Sequence, residues 1–208
     1  MLQNQFLQTG DSVLYTNLTG LGSKIQHWVL GTNISHSSYI YGQGLFDESV
    51  LELEADVKVR LHTFLRNWTN PIPKKNRQIF RWNPELIPQD IVEKVLKEIK
   101  ENFEGEWYAW WQWLTIGIRT LFERLGYENA RKWNILFVSE RHPVCSELFY
   151  YGEMKILGES YMRNNEYVLD QMQYEFTKYN PDTFTPEDLR KIYYKFPEVK
   201  RDITNELP

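Results

Sequence analysis

The chain is poor in cysteine: Cys145 is its single thiol in 208 residues. A solitary cysteine excludes an internal disulfide and a sulfur-rich metal cage. It leaves three roles, which are inert packing, a reactive nucleophile or an intermolecular link. An excess of positive charge is lacking too. Lys and Arg number 24 against 28 acidic residues, for a net charge of −4. The basic face that a polyanion needs is therefore missing, and nucleic acid is not an expected partner. No run approaches the ~20 apolar residues of a membrane span. The opening MLQNQFLQTGDSV has neither the positive start nor the apolar core of a signal peptide. With one thiol and no targeting segment, a cytoplasmic location is expected, and the glycosylation-like triplets at Asn17, Asn33 and Asn67 read as chance matches. Internal repeats and low-complexity tracts are absent.

What the chain does have is aromatic surface: 15% of its residues, including eight Trp and thirteen Tyr. Its length suits one domain spanning 1–208, able to bury roughly 70% of its unfolded surface. Residues 12–16 (SVLYT) read as a strand after the turn at Gly10-Asp11, and Ser23–Gln26 has capping-box spacing for a short helix ending near Gly31. His36–Tyr41 and Ser49–Ala55 read as an antiparallel pair joined by a loop near 42–48. In the second of these, apolar and acidic residues alternate at period two. The alternation continues through Val57–Arg60. Residues 66–76 read as a proline-bearing connection and 77–82 as a further strand. Pro88 opens a helix whose stripe is Ile91, Val92, Val95, Leu96, Ile99 and Phe103. An aromatic block, Trp107–Trp113, leads into a helix ending near Gly126, and 133–138 fits either a buried strand or a helical turn. A helix from Cys145 is expected to run to about Gly158. Thr185-Pro186-Glu187-Asp188 carries the signature of a helix start.

Placement at the start of a helix favours thiolate over thiol, because backbone N–H groups and the positive dipole end point at the sulfur. A nucleophile also needs a base and a group that orients the base. His27, beside Trp28, reads as packing, and His62, among Leu61, Thr63 and Phe64, as structural or exposed. His142 would have to fold back onto Cys145. His36, at the head of a strand, is the best placed, since a strand aims its side chain in one direction. A metal site using His142, Cys145 and His36 is a weaker alternative, because zinc takes three or four ligands in confirmed geometry. No cofactor is expected.

The order of these parts resembles the circularly permuted branch of the NlpC-type papain-like cysteine hydrolases. Five segments carry the resemblance: Gly10-Asp11-Ser12-Val13-Leu14, Ser35-His36-Ser37-Ser38-Tyr39-Ile40, Leu53-Glu54-Ala55, Val144-Cys145-Ser146-Glu147-Leu148 and Thr185-Pro186-Glu187-Asp188-Leu189. Together they span about residues 10–190. The resemblance implies a permuted papain-like α+β fold, in which a small antiparallel sheet carrying the histidine and glutamate packs against the nucleophile helix. It implies Cys145 as nucleophile, His36 as base and then acid, and Glu54 as the orienting carboxylate. Glu52, two residues earlier on the same strand face, is the alternative third member. Asp11 and Tyr15 on the first strand are further polar candidates. The backbone N–H of Cys145 suits an oxyanion hole.

The chemistry implied is acyl transfer from a peptide, a peptidoglycan fragment or a lipid-like amide or ester. The aromatic block is either core or the wall of a substrate groove. The rival reading is a non-catalytic binding or structural protein that keeps the fold.

Overall fold

Residues 7–16, 33–42, 50–55, 59–63, 76–105, 118, 121–122, 125–127, 145–181 and 184–207 are described by a computed structural model of the chain. The alternating segments form β1 (Ser12–Thr16), β2 (Ile34–Tyr41), β3 (Leu51–Ala55), β4 (Val59–Thr63) and β5 (Arg77–Trp82). A short β6 (Lys200–Asp202) follows late in the chain. They make one six-stranded sheet in the order β4-β3-β2-β1-β5-β6, every neighbouring pair antiparallel. Among the described residues the helices are α1 (Gln89–Phe103), α2 (Cys145–Asn164), α3 (Tyr167–Thr177) and α4 (Pro186–Lys195). The fold is α+β.

Period-two alternation gives this sheet two different faces. Leu14, Tyr39, Leu53 and Phe80 point to one, where they join the buried stripe of α1 and apolar residues of α2, α3 and α4 in the main core. Val13, Tyr15, Ile40, Val50 and Ile79 point to the other, against Leu7, Ile203 and Leu207. On the helical face the Tyr39 ring stacks on Phe149 of α2, with centroids 3.8 Å apart. The helix can lie this close because residue 152 is glycine. A Cβ there would stand 2.7 Å from the Tyr39 hydroxyl. Gly10 is required for another reason, since its φ is +95° and a Cβ would meet Val92 Cγ1 at 2.2 Å.

The helix ends agree with the capping signals in one case and depart from them in another. Thr185 accepts from the Asp188 N–H while the Asp188 carboxylate accepts from the Thr185 N–H, a complete capping box at the start of α4. The helix that begins at Cys145, by contrast, passes through Gly158 and continues to Asn164. Gly158 faces the Gln173 side chain of α3, so it serves close packing of two helices and ends neither. The stop is Asn165, whose φ of +53° is the left-handed conformation that asparagine tolerates.

The main core also encloses charge. Lys200 and Glu153 are both 0% exposed, and Lys200 Nζ lies 2.7 Å from Glu153 Oε1 and 2.7 Å from Ser12 Oγ. The Tyr39 hydroxyl donates to the same Glu153 oxygen at 2.9 Å, and the ammonium sits 3.8 Å from the Trp82 ring centroid. Burial draws the lysine down to about 8 although Glu153 pulls the other way. Asp11 and Arg81 form a second buried pair through two hydrogen bonds of 2.9 and 2.6 Å. Among the described residues, no helix is long and apolar enough to cross a membrane.

Candidate functional site

The sheet face turned away from α2 carries a polar cluster. Its position follows from strand register. Tyr15 pairs with His36, but the next residue, Thr16, pairs with Ile34, so Ser35 is an extra residue in β2. Such a bulge interrupts the ladder and re-aims the side chains beside it. Across the other edge of β2, Ser38 pairs with Glu54 and Ile40 with Glu52. Glu54 therefore lies diagonally opposite His36, and Glu52 diagonally opposite Ser38, within reach of long side chains.

These diagonals are made. His36 Nε2 lies 2.9 Å from Glu54 Oε2, with the imidazole 19% exposed and the carboxylate 7%. Arg60 Nη2 stands 3.8 Å from the other oxygen of Glu54. A carboxylate only accepts, so the bond places a proton on Nε2, and in the neutral ring Nδ1 then carries the lone pair. Glu52 belongs to a different set: Ser38 Oγ donates to its Oε1 at 2.5 Å, and the Tyr15 hydroxyl donates to the same oxygen. The Tyr15 ring rests against His36, with centroids 5.6 Å apart, and the buried Arg77 guanidinium lies 5.2 Å from its centroid. Burial, reinforced by the Glu52 charge, holds the Tyr15 phenol well above its ordinary range, so it stays a donor. Burial likewise lowers Arg77.

The structure thus joins His36 to Glu54 and assigns Glu52 to Tyr15 and Ser38. Asp11, the other polar candidate on the first strand, is committed to Arg81 and takes no part. Cys145 is the first residue of α2, one turn before Phe149, and Glu147 is a buried acid in the first turn. The Cys145 side chain lies outside the described residues, as do His27, His142, the aromatic block at 107–113 and the segment 133–138. The helix that begins at Cys145, α2, packs on the Tyr39 face of the sheet through Phe149. His36 and Glu54 project from the opposite face. The described residues contain no group of three or more His, Cys, Asp or Glu arranged to hold a metal ion.

The residues that sequence reasoning passed over are Ser38 and Arg77. Their signal was parity. Ser38 is two positions from His36 on the same strand, and Arg77 opens a strand whose register sets it against Tyr15.

No family model and no curated protein matches this chain. Among solved structures, it is similar to the metalloprotein yiiX from Escherichia coli O157:H7, at 16% identity and a TM-score of 0.46. The alignment covers 73% of this chain and 67% of that one.

Proposed function

We propose that this chain is a thiol hydrolase or acyltransferase of the circularly permuted NlpC-type papain-like kind. Its nucleophile is Cys145, its base His36 and its orienting carboxylate Glu54. The observation that supports the reading is the 2.9 Å bond between His36 Nε2 and Glu54. A carboxylate on Nε2 fixes the tautomer, stabilises the imidazolium that forms, and leaves Nδ1 to take the thiol proton. The partial exposure of His36 is what a base that meets both thiol and substrate needs. Cys145 at the start of a 20-residue helix places a nucleophile and backbone N–H donors together, which favours thiolate and an oxyanion.

The steps follow. Cys145 thiolate attacks an acyl carbon, and helix N–H groups hold the oxyanion. Imidazolium then protonates the leaving amine, alcohol or thiol. Water or another acceptor, deprotonated by His36, releases the acyl group. Substrates of this chemistry are peptides, peptidoglycan fragments or lipid-like amides and esters, met in the cytoplasm.

The reading makes a demand on the geometry. Tyr39, on which α2 stacks, is three residues from His36 and on the other face of the sheet. Thiol and imidazole must therefore meet around the end of the sheet where β2 begins. That separation of faces is the one observation favouring the second reading, a binding or structural protein that keeps the fold without catalysis.

Acyl-enzyme trapping decides between them. Wild type and Cys145→Ala are incubated with panels of activated esters, thioesters and amides and followed by intact-mass spectrometry. The hydrolase reading expects an acyl adduct on wild type that maps to Cys145 and turns over, and no adduct on the variant. Failure of every panel to acylate Cys145 faster than it acylates the denatured chain overturns the reading.

A further inference from the structure

Glu52 accepts hydrogen bonds from Tyr15 and Ser38 beside the proposed site, yet the Cys–His–Glu chemistry does not use it. It is 0% exposed, and a bare carboxylate there would carry a large desolvation cost. Tyr15 and Ser38 offset that cost as donors. The arrangement is reciprocal, because the buried Tyr15 phenol equally requires an acceptor. Donation to a carboxylate is among the stronger hydrogen bonds available to it. The consequence is that the Tyr15 ring is pinned at both ends, by its backbone in β1 and by its hydroxyl on Glu52. The face it presents is the one that His36 lies against.

An imidazole on a strand has a broad second torsion that permits ring flips. A flip would carry Nε2 away from Glu54 and put a ring carbon in the place of each nitrogen. The Glu54 bond resists that from one side only. We propose that Tyr15 is a positioning residue for His36: anchored through its hydroxyl on Glu52, it holds the imidazole in the orientation that keeps Nε2 on Glu54 and so leaves Nδ1 as the basic nitrogen. This rests on the reading of His36 as the base. The charged and titratable groups that share the sheet face of the imidazole among the described residues include Tyr15 on β1, Glu52 and Glu54 on β3, Arg60 on β4 and Arg77 on β5.

Tyr15→Phe keeps the ring and removes the anchor. Ser38→Ala removes the other donor to Glu52 and leaves the ring anchored, so a purely structural role predicts the same response from both. Two readouts are taken on wild type and both variants, alongside thermal melts: the ring 15N shifts of His36, and the pH profile of Cys145 alkylation by iodoacetamide. Positioning expects His36 in wild type and Ser38→Ala to show one tautomer with the proton on Nε2. In Tyr15→Phe the two nitrogen signals move toward each other, and the apparent thiol pKa rises by about one unit, roughly tenfold less thiolate below it. Tyr15→Ala is expected to enlarge both changes.

Identical His36 shifts in wild type and Tyr15→Phe overturn the proposal, as do equal changes in Tyr15→Phe and Ser38→Ala. The base reading fails separately. If the ring shifts respond to Tyr15→Phe while His36→Ala leaves Cys145 alkylation untouched, Tyr15 positions a histidine that is not the base.

Discussion

The Lys200–Glu153 pair permits a prediction with a worked magnitude. Both groups are fully buried, and they share one oxygen contact: Nζ and the Tyr39 hydroxyl both reach Glu153 Oε1. The second oxygen, Oε2, has no hydrogen-bond partner among the described residues. A buried ion pair with an unsatisfied lone pair is poorly compensated, yet removing only one member leaves the other charge stranded. Lys200→Met should thus cost about 3–5 kcal/mol, and Glu153→Leu a comparable amount at pH 7. Domains of this size are stable by only about 5–15 kcal/mol, so either variant sits near the unfolding threshold.

The double variant Lys200→Met with Glu153→Leu removes both charges at similar volume. It leaves the Tyr39 hydroxyl 3.4 Å from the Phe149 carbonyl as an alternative acceptor. Its stability should return to within about 2 kcal/mol of wild type, a coupling energy of several kcal/mol. The assay is urea unfolding of all four proteins with the m-value checked for constancy. Single variants that each lose under 1 kcal/mol, or losses that simply add in the double variant, would refute the reasoning that a desolvated ion pair ties α2 to β6.

Three further outcomes are expected. Because Lys200 falls from 10.5 to about 8 on folding, the unfolded chain binds more protons between those values. The lysine's share of stability therefore rises with pH from about 8, by roughly 3 kcal/mol at most. Tyr39 and Tyr193, both held above their ordinary value by burial, oppose this above about pH 10; unfolding titrated from pH 7 to 10 should show the rise and lose it in Lys200→Met. Thr185→Ala removes the acceptor of the α4 capping box and should lower stability by about 1 kcal/mol, measured by denaturant midpoint. His36→Cys should cross-link to Cys145 under mild oxidation, as a disulfide requires Cα atoms about 4.4–6.8 Å apart; its absence under conditions that oxidise a control dithiol would set the two Cα atoms outside that range.

Much of the sheet was legible because its residues alternate. The acidic and apolar alternation of β3 and the apolar stripe of α1 each match one period, and the structure keeps them. The choice between Glu52 and Glu54 was not legible. Both occupy one face, and only the β2–β3 register assigns Glu54 to His36. Gly158 misled as a helix stop because glycine marks both chain turns and close helix contacts. The surface-like charges of Glu153 and Lys200 gave no sign that they would meet in the core, 47 residues apart. β6 is three residues long, too short to show a period. α3 went unrecognised because its apolar residues interleave with exposed tyrosines at 167 and 174.

The assignment of Cys145, His36 and Glu54 to one reaction centre is tested most directly by the pH-dependence of Cys145 alkylation by iodoacetamide in wild type and His36→Ala. A working pair requires wild-type Cys145 to react with an apparent pKa well below the ~8.5 of a free cysteine, and His36→Ala to restore that ordinary value. A native thiol that is unreactive, or whose apparent pKa is the same with and without His36, contradicts the assignment.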